Sequence, residues 1–427
     1  MTAPEATPLA RIERTVQELA ARAQVDVDTD DGRRALRELI DETVADWGAG
    51  RSGLGDPERV AERAYRNLAG YGPLEPLLAD DDVWEIMING PDSVFAKRHS
   101  RPSGYHDEVF HDDAHVERTL TKLLDDSSAS HRKLDPAEGL QDAVLGNGAR
   151  IHIVHPDLAR GGHLLVNIRK FTGVAVADLS TLVTRGSLTP AAAGFLAAAV
   201  RARLTVLFAG APGSGKTTLL GCCTAELDPS LRVVIAEEVF ETDVQAPNTA
   251  SMQTRPDRPD RPGVDLRRLV AGFLRMAPDV AIVGEVRDRE ALPLLLTLSS
   301  GVTGYTTIHA GSARQALTRL RFLAQLSEAA RHLPLPALNA LVSDAVDLVV
   351  HTERTPAGPR VTSIVALEEQ VAGAEAVSFT CTDVFTRDAT GLRWTGLHPV
   401  RAGERLARRG LDARSLLVST ADDGGGK

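Results

Sequence analysis

Apolar residues Leu9, Ile12, Val16, Leu19 and Ala23 recur at the spacing that lines one helix face, and Leu36, Leu39, Ile40, Val44 and Trp47 repeat the pattern. Asp56-Pro57 then supplies an N-cap and a first-turn proline for a third helix, set off from the second by RSGLGDP at 51–57. Residues 1–70 therefore read as a helical N-terminal extension. From Tyr71 the period shortens. VWEIMING, SVFAKR, RIHIVH and LLVNIRKF are short alternating segments with a helix at 114–125 among them, which predicts an α+β domain over 71–173. The segment VAVADLSTLVTRGSLTP (174–190) is expected to be a flexible linker to a second domain.

That second domain spans 191–420. An alanine-rich helix leads into TVLFAG, and RVVIAEE, VAIVGEV and GYTTIHA follow as apolar strands with helical patterns between them. Such alternation predicts a mostly parallel sheet covered on both faces, an α/β fold. DLVVHT, RVTSIVALEEQ and VSFTCTDVF read as closing strands, a last helix is expected near 401–417, and ADDGGGK (421–427) as a flexible tail. The longest uncharged run, ALPLLLTLSSGVTGYTTI at 291–308, holds Pro, Gly and many hydroxyl residues, so it predicts a buried helix, loop and strand rather than a membrane span.

Composition narrows the class. A chain of 427 residues suggests two or three domains of roughly 150 residues each. Its three cysteines, Cys222, Cys223 and Cys381, have no metal-ligand spacing and make no disulfide framework. The first residues, MTAPEATPLARIERTV, hold no apolar run of signal-peptide length, so a cytoplasmic protein is expected. A formal net charge of −10 argues against general affinity for nucleic-acid backbones.

Lys216 is the lone lysine between 171 and 426, and it lies in GAPGSGKTT (210–218). Gly210, Gly215, Lys216 and Thr217 satisfy G-x-x-x-x-G-K-[ST] directly after an apolar strand and before a helix, the context a phosphate loop requires. The backbone of Gly210, Ala211, Pro212, Gly213, Ser214 and Gly215, continuing into Lys216, Thr217 and Thr218, can wrap phosphates at a helix N-terminus. Lys216 is expected to neutralise β- and γ-oxygens, and the Thr217 hydroxyl to ligate magnesium. No N-K-x-D guanine-reading motif follows, so ATP is the expected nucleotide.

The acids raise a puzzle. A phosphate loop usually has a downstream apolar strand ending in an Asp that helps hold magnesium, and in AIVGEVRD (281–288) Gly284 stands in its place. Glu285 follows at the strand end, where a carboxylate can orient or deprotonate an attacking water. Glu237 and Glu238 end RVVIAEE, and His309 ends GYTTIHA; carboxyl ends of parallel strands face the ligand crevice. Thr306 and Thr307 are explained by strand preference.

The four segments GAPGSGKTT, VVIAEEVFE, LRMAPDVAIVGEVRDREAL and TGYTTIHAGSARQALTRL, in that order, resemble the secretion-superfamily traffic ATPases of type II and type IV secretion and pilus systems. The chain looks most like the CpaF-like branch linked to tight-adherence pili. YGPLEPLLADDDVWEIMINGPDSVF (71–95) and GNGARIHIVHPDLARGGHLLVNIRKF (146–171) are similar to the family's N-terminal domain, so the resemblance runs over roughly 71–400. In that family Gly-Glu replaces the usual Asp-Glu.

The resemblance implies a RecA-like P-loop ATPase domain behind the smaller α+β domain, with ATP and Mg2+ as ligands. It implies Glu285 as the catalytic glutamate, Glu238 as the acidic position of a second box acting on the metal through water, and His309 as a γ-phosphate sensor. Arg150 and Arg169 fall in the segments from which arginines reach the phosphates, and Arg255 and Arg287 are further candidates for ligand or subunit contacts. It also implies a homohexamer, peripheral to the inner face of the cytoplasmic membrane, driving an inner-membrane platform protein. Glu238 departs from the family's usual Asp, and Ala277 and NGAR (147–150) depart elsewhere. Two other classes stay open: a motor that moves nucleic acid, and a nucleotide-dependent scaffold that scarcely hydrolyses.

Overall fold

The computed structural model describes residues 7–50, 55–99, 101–127, 133–170, 178–242, 244–255, 257, 262–369 and 378–414. The expected tail at 421–427 and residues 174–177 of the expected linker lie outside them. The chain divides into two compact units, Met1–Val174 and Ala175–Lys427.

In the first unit, α1 (Pro8–Arg22), α2 (Asp30–Gly50) and α3 (Pro57–Ala69) pack around Ile12, Val16, Leu36, Ile40, Val44 and Ala64. Thr7 and Asp56 cap α1 and α3 by accepting from Ala10 and Glu58 N–H groups, and a proline opens each helix. After the short α4 (Glu75–Ala79), an antiparallel sheet forms in the order β3-β2-β1-β6-β5-β4. Its strands are β1 (Val83–Gly90), β2 (Ser93–Arg98), β3 (Gly104–Tyr105), β4 (Leu140–Val144), β5 (Arg150–Val154) and β6 (Leu165–Arg169). Alternate residues Ile86, Ile88, Ile151, Ile153, Val166 and Ile168 bury one face against Val116, Leu120 and Leu124 of α5 (Asp113–Asp125). Two polar pairs tie the helices to the segment between β3 and α5: Arg66 Nη2 stands 2.8 Å from both Glu108 oxygens, and Glu13 Oε2 lies 2.8 Å from His111 Nε2.

The second unit opens with a correction. Residues 178–190, read from the sequence as part of a flexible linker, are folded: Asp178 caps α6 (Leu179–Thr184), and Leu179, Leu182 and Leu188 enter the core. The Leu179 and Leu182 spacing is one helical turn, too short a run to separate from loop by periodicity alone. α7 (Pro190–Arg201) follows.

A nine-stranded sheet has the order β15-β14-β13-β12-β7-β11-β10-β8-β9. β7 (Val206–Gly210), β8 (Val233–Glu237), β9 (Thr249–Gln253), β10 (Val280–Val283), β11 (Thr303–Ile308) and β12 (Leu348–Thr355) run parallel. β13 (Gly358–Leu367), β14 (Cys381–Asp388) and β15 (Gly391–Trp394) extend it antiparallel. Every residue of β7, β8, β10 and β11 is buried, as a parallel sheet covered on both faces demands. Along β7, Val206 and Phe208 join α7 and α8 (Lys216–Thr224), while Leu207 and Ala209 join the opposite layer. That layer holds α9 (Leu266–Ala271), α10 (Ala291–Ser299), α11 (Ala313–Gln325) and α12 (Leu335–Ala345). The last helix, α13 (Val400–Ala407), is shorter than the expected 401–417, because Leu411 N–H closes back on the Leu406 carbonyl at the Gly410 turn. Among the described residues no helix is long and apolar enough to cross a membrane.

Candidate functional site: a phosphate loop wired to three strand ends

β7 ends at Gly210 and α8 begins at Lys216, so residues 210–215 form a loop between a buried strand and a helix N-terminus. Gly210 allows the loop to close on β12. A Cβ there would lie 2.3 Å from the Thr352 carbonyl oxygen and 2.5 Å from Ser214 Oγ. The hydroxyls of Ser214 and Thr352 meet at 2.9 Å, and Arg354 Nη1 donates to the Gly213 carbonyl at 3.2 Å. Thr352 and Arg354 thus brace the loop from β12, a role that no spacing in DLVVHTER announces.

Lys216 is buried at 6% exposure, yet its ammonium is satisfied inside the loop: Nζ donates to the Ala211 carbonyl at 2.9 Å and stands 3.3 Å from His309 Nδ1. A triphosphate on the loop offers stronger, charged acceptors in the same place. Thr217, half-buried, opens α8 beside it, and Thr218 is exposed. The N-terminal end of the α8 dipole favours an anion.

The loop strand and the Glu285 strand are not neighbours. β11 lies between β7 and β10, so His309, one residue beyond β11, falls between Lys216 and Glu285. His309 Nε2 lies 2.7 Å from Glu285 Oε1, and Nδ1 is 3.2 Å from the Gly210 carbonyl oxygen. The Nε2 contact is an ion-pair approach to Glu285 rather than an aligned hydrogen bond, and Nδ1 accepts from Lys216 when the ring proton is on Nε2. The other Glu285 oxygen, Oε2, takes a hydrogen bond from Arg287 Nη2 at 2.7 Å, and Arg287 Nη1 donates to Glu238 Oε2, also at 2.7 Å. Lys216, His309, Glu285, Arg287 and Glu238 form one continuous polar row.

Burial alone pushes the Glu285 carboxyl up, but His309 and Arg287 overcome it and hold the group at about 2. A folded value below the unfolded one means stability that is present above about pH 4.5 and fades as pH falls toward 2. Glu285→Gln has no such proton to gain. From about pH 5 to about pH 3.5 its denaturation midpoint in urea should therefore fall less steeply than that of the parent, and parallel slopes would show that Glu285 is not held low.

Gly284 is accounted for by its neighbour on β8. A Cβ at 284 would sit 2.8 Å from both Cγ and Oε1 of Glu237. The Glu237 side chain fills the space an Asp would need. It is buried at 2% exposure and accepts from Thr242 N–H at 2.9 Å, Thr242 Oγ1 at 2.6 Å and Glu241 N–H at 3.2 Å. Burial raises its carboxyl despite those bonds. The sequence placed Glu237 and Glu238 together at a strand end; β8 stops at Glu237, which turns inward, while Glu238 turns out to Arg287. Likewise β10 stops at Val283 and β11 at Ile308, so Glu285 and His309 stand just beyond the strands, in the turns. Thr306 and Thr307 do more than favour a strand: their hydroxyls donate to the Val283 and Gly284 carbonyls, each at 2.7 Å, and clip the end of β10 to β11.

Arg150 and Arg169 belong to the first unit, directly opposite each other on β5 and β6. On its other side Arg169 is paired in register with Glu85 of β1. Arg255 braces its own loop, donating to the Pro262 carbonyl at 3.0 Å. Cys222 and Cys223 are buried, and burial pushes the Cys222 thiol up to about 12, so neither is a nucleophile.

Among the described residues no three His, Cys, Asp or Glu side chains gather as a metal cluster. Magnesium fits that donor set, because it binds through one or two protein groups with substrate phosphates and water. Thr217 and, through water, Glu238 are the groups this chain would offer.

A phosphate loop on one strand, a histidine on the next and a paired carboxylate on the third define a P-loop nucleotide hydrolase of the α/β class. The chain belongs to the type II/IV secretion system protein family, whose model matches residues 67–370. A putative conjugal transfer protein of Mycobacterium tuberculosis is 33% identical over 332 residues, 75% of this chain and 91% of that protein. The type IV secretion system protein PtlH homolog of Bordetella bronchiseptica is 30% identical over 322 residues, 70% of this chain and 92% of its own length. Among solved structures, the VirB11 ATPase of the Brucella suis type IV secretion system aligns at a TM-score of 0.36 and 26% identity, covering 68% of this chain and 94% of that one.

Proposed function

We propose that this chain is an ATP-hydrolysing motor that powers pilus assembly or secretion. The observation that carries the reading is the polar row from Lys216 through His309 to Glu285, laid across adjacent strand ends at the phosphate loop. Residues from 178 onward are the RecA-like motor domain and 71–173 the smaller domain, with 1–70 as an extension. ATP binds on residues 210–218. Its γ-phosphate draws Lys216 from the Ala211 carbonyl, and Glu285 positions a water for in-line attack. Thr217 and, through water, Glu238 would hold magnesium, which would supply charge neutralisation on the phosphates. Arg150 and Arg169 add guanidinium groups to the equatorial oxygens, where charge spreads in the transition state. Loss of phosphate releases these groups and His309, and the domains rotate as a nucleotide-gated hinge. Six copies in a ring, in the cytoplasm against the membrane's inner face, pass that motion to an inner-membrane platform protein.

Lys216→Ala tests the seat of the nucleotide. Removing a charged donor to phosphate costs roughly 3 kcal/mol, so ATP affinity in a calorimetric titration should fall about a hundredfold. Undiminished binding would remove residues 210–218 from the nucleotide site. The relatives' names include conjugal transfer, which keeps a nucleic-acid motor as the second reading. In that case turnover by the purified chain rises with single-stranded DNA and the rise collapses with salt. Turnover indifferent to DNA favours the protein-secretion reading, in line with the net charge of −10.

A further inference from the structure

Glu285 is held at both oxygens, but its two holders differ in kind. His309 reaches it from the phosphate-loop side, whereas Arg287 comes from the same turn as Glu285 and also grips Glu238. The Arg287 backbone is itself fixed. Glu290, buried at 5% exposure, accepts the N–H groups of Arg287 and Asp288 at 2.5 and 2.9 Å, and Val286 N–H donates to the Thr307 carbonyl at 2.9 Å. The guanidinium therefore starts from a pinned turn and ends on two carboxylates, each at 2.7 Å. One Arg fork can hold two acids apart at fixed geometry; a Lys ammonium on a flexible stem lacks the planar fork to do so. Without a cation between them, Glu238 and Glu285 would face each other as like charges.

We infer that Arg287 is a positioning residue for ATP hydrolysis: it splints Glu285 to Glu238, and Glu238 contributes to turnover through that splint. The inference rests on Glu285 being the residue that positions water. It gives Arg287 a role inside its own subunit in place of a ligand or subunit contact, and gives Glu238 a role through Arg287 in place of one through metal-bound water. It also explains how Glu238 tolerates being a methylene longer than Asp: its partner is a long, forked side chain. Displacement of a catalytic group by about 1 Å costs on the order of a hundredfold in rate while substrate binding is untouched. Arg287 is 43% exposed, so its removal leaves the core intact.

The test is steady-state ATP turnover by the full chain carrying Arg287→Ala, Arg287→Lys, Glu238→Gln and the pair Arg287→Ala/Glu238→Gln. Arg287→Ala should lower kcat about a hundredfold with KM for ATP within about threefold, and Arg287→Lys should recover part of the loss, on the order of tenfold. The pair should be no slower than Arg287→Ala alone, since both substitutions break one splint. A kcat for Arg287→Ala within about threefold of the parent, a loss carried by KM, or losses that multiply in the pair would each overturn the inference. If Arg287→Ala melts early, Arg287→Lys decides, because a full recovery by lysine contradicts a two-acid fork. A parent chain that turns over no ATP would overturn the functional reading itself, whereas an active parent with unaffected variants overturns only the role of Arg287.

Discussion

Glu285→Gln should bind ATP as the parent does and turn it over about a thousandfold more slowly, the range expected when a general base or water-positioning group is lost. The substitution keeps the shape of the side chain but only one acceptor oxygen, so the charge and one of the two contacts, to His309 or to Arg287, are lost. Both measurements are needed. Retained affinity shows that the loop of 210–217 is intact, and lost turnover shows that chemistry depends on this carboxylate. A carboxyl held at about 2 is a weak base, which under the proposed function favours orienting the nucleophile over deprotonating it. Turnover within about threefold of the parent would take Glu285 out of the mechanism.

Gly284→Asp restores the acid that phosphate-loop proteins ordinarily carry at this point and should damage this one severely. The new Cβ would meet Glu237 at 2.8 Å, and the new carboxylate would be buried against a carboxyl already raised by burial. Overpacking and an unpaired buried charge together cost about 3 kcal/mol or more, which lowers Tm by roughly 6–12 °C for a unit of this size. Gly284→Ala, which adds the clash without the charge, should cost less. Adding Glu237→Ala to Gly284→Asp opens the space, so the pair should be more stable than the sum of the single effects predicts. A Gly284→Asp chain as stable as its parent would show that Glu237 is free to move aside, and the account of the missing Asp would fail.

These two residues mark how far the sequence could be read. The phosphate loop is local, so its spacing carries both conformation and chemistry, and Lys216 stands where GAPGSGKTT requires. The parallel sheet follows from apolar runs alternating with helical periods, and its order places His309 between the other two strand ends. What the pattern does not carry is which way a side chain turns at a strand end. Glu237 and Glu238 are adjacent and chemically alike, yet one packs under Gly284 and the other pairs with Arg287, because successive side chains point to opposite sides. Thr352 and Arg354 brace the loop from more than a hundred residues away, through a register that no local motif encodes. Residues 178–190 mislead for the opposite reason, since a short helix with two buried leucines reads locally like a connection.

In the proposed function the phosphate loop and Glu285 serve one triphosphate. A crystal structure of the full chain with magnesium and a non-hydrolysable ATP analogue tests it most directly. The γ-phosphate is expected on residues 210–217, with Lys216 moved from the Ala211 carbonyl to phosphate oxygens and a water about 3 Å from Glu285, in line with the terminal phosphorus. A nucleotide seated elsewhere, or one seated on the loop with Glu285 turned to solvent and no water between it and that phosphorus, would contradict it.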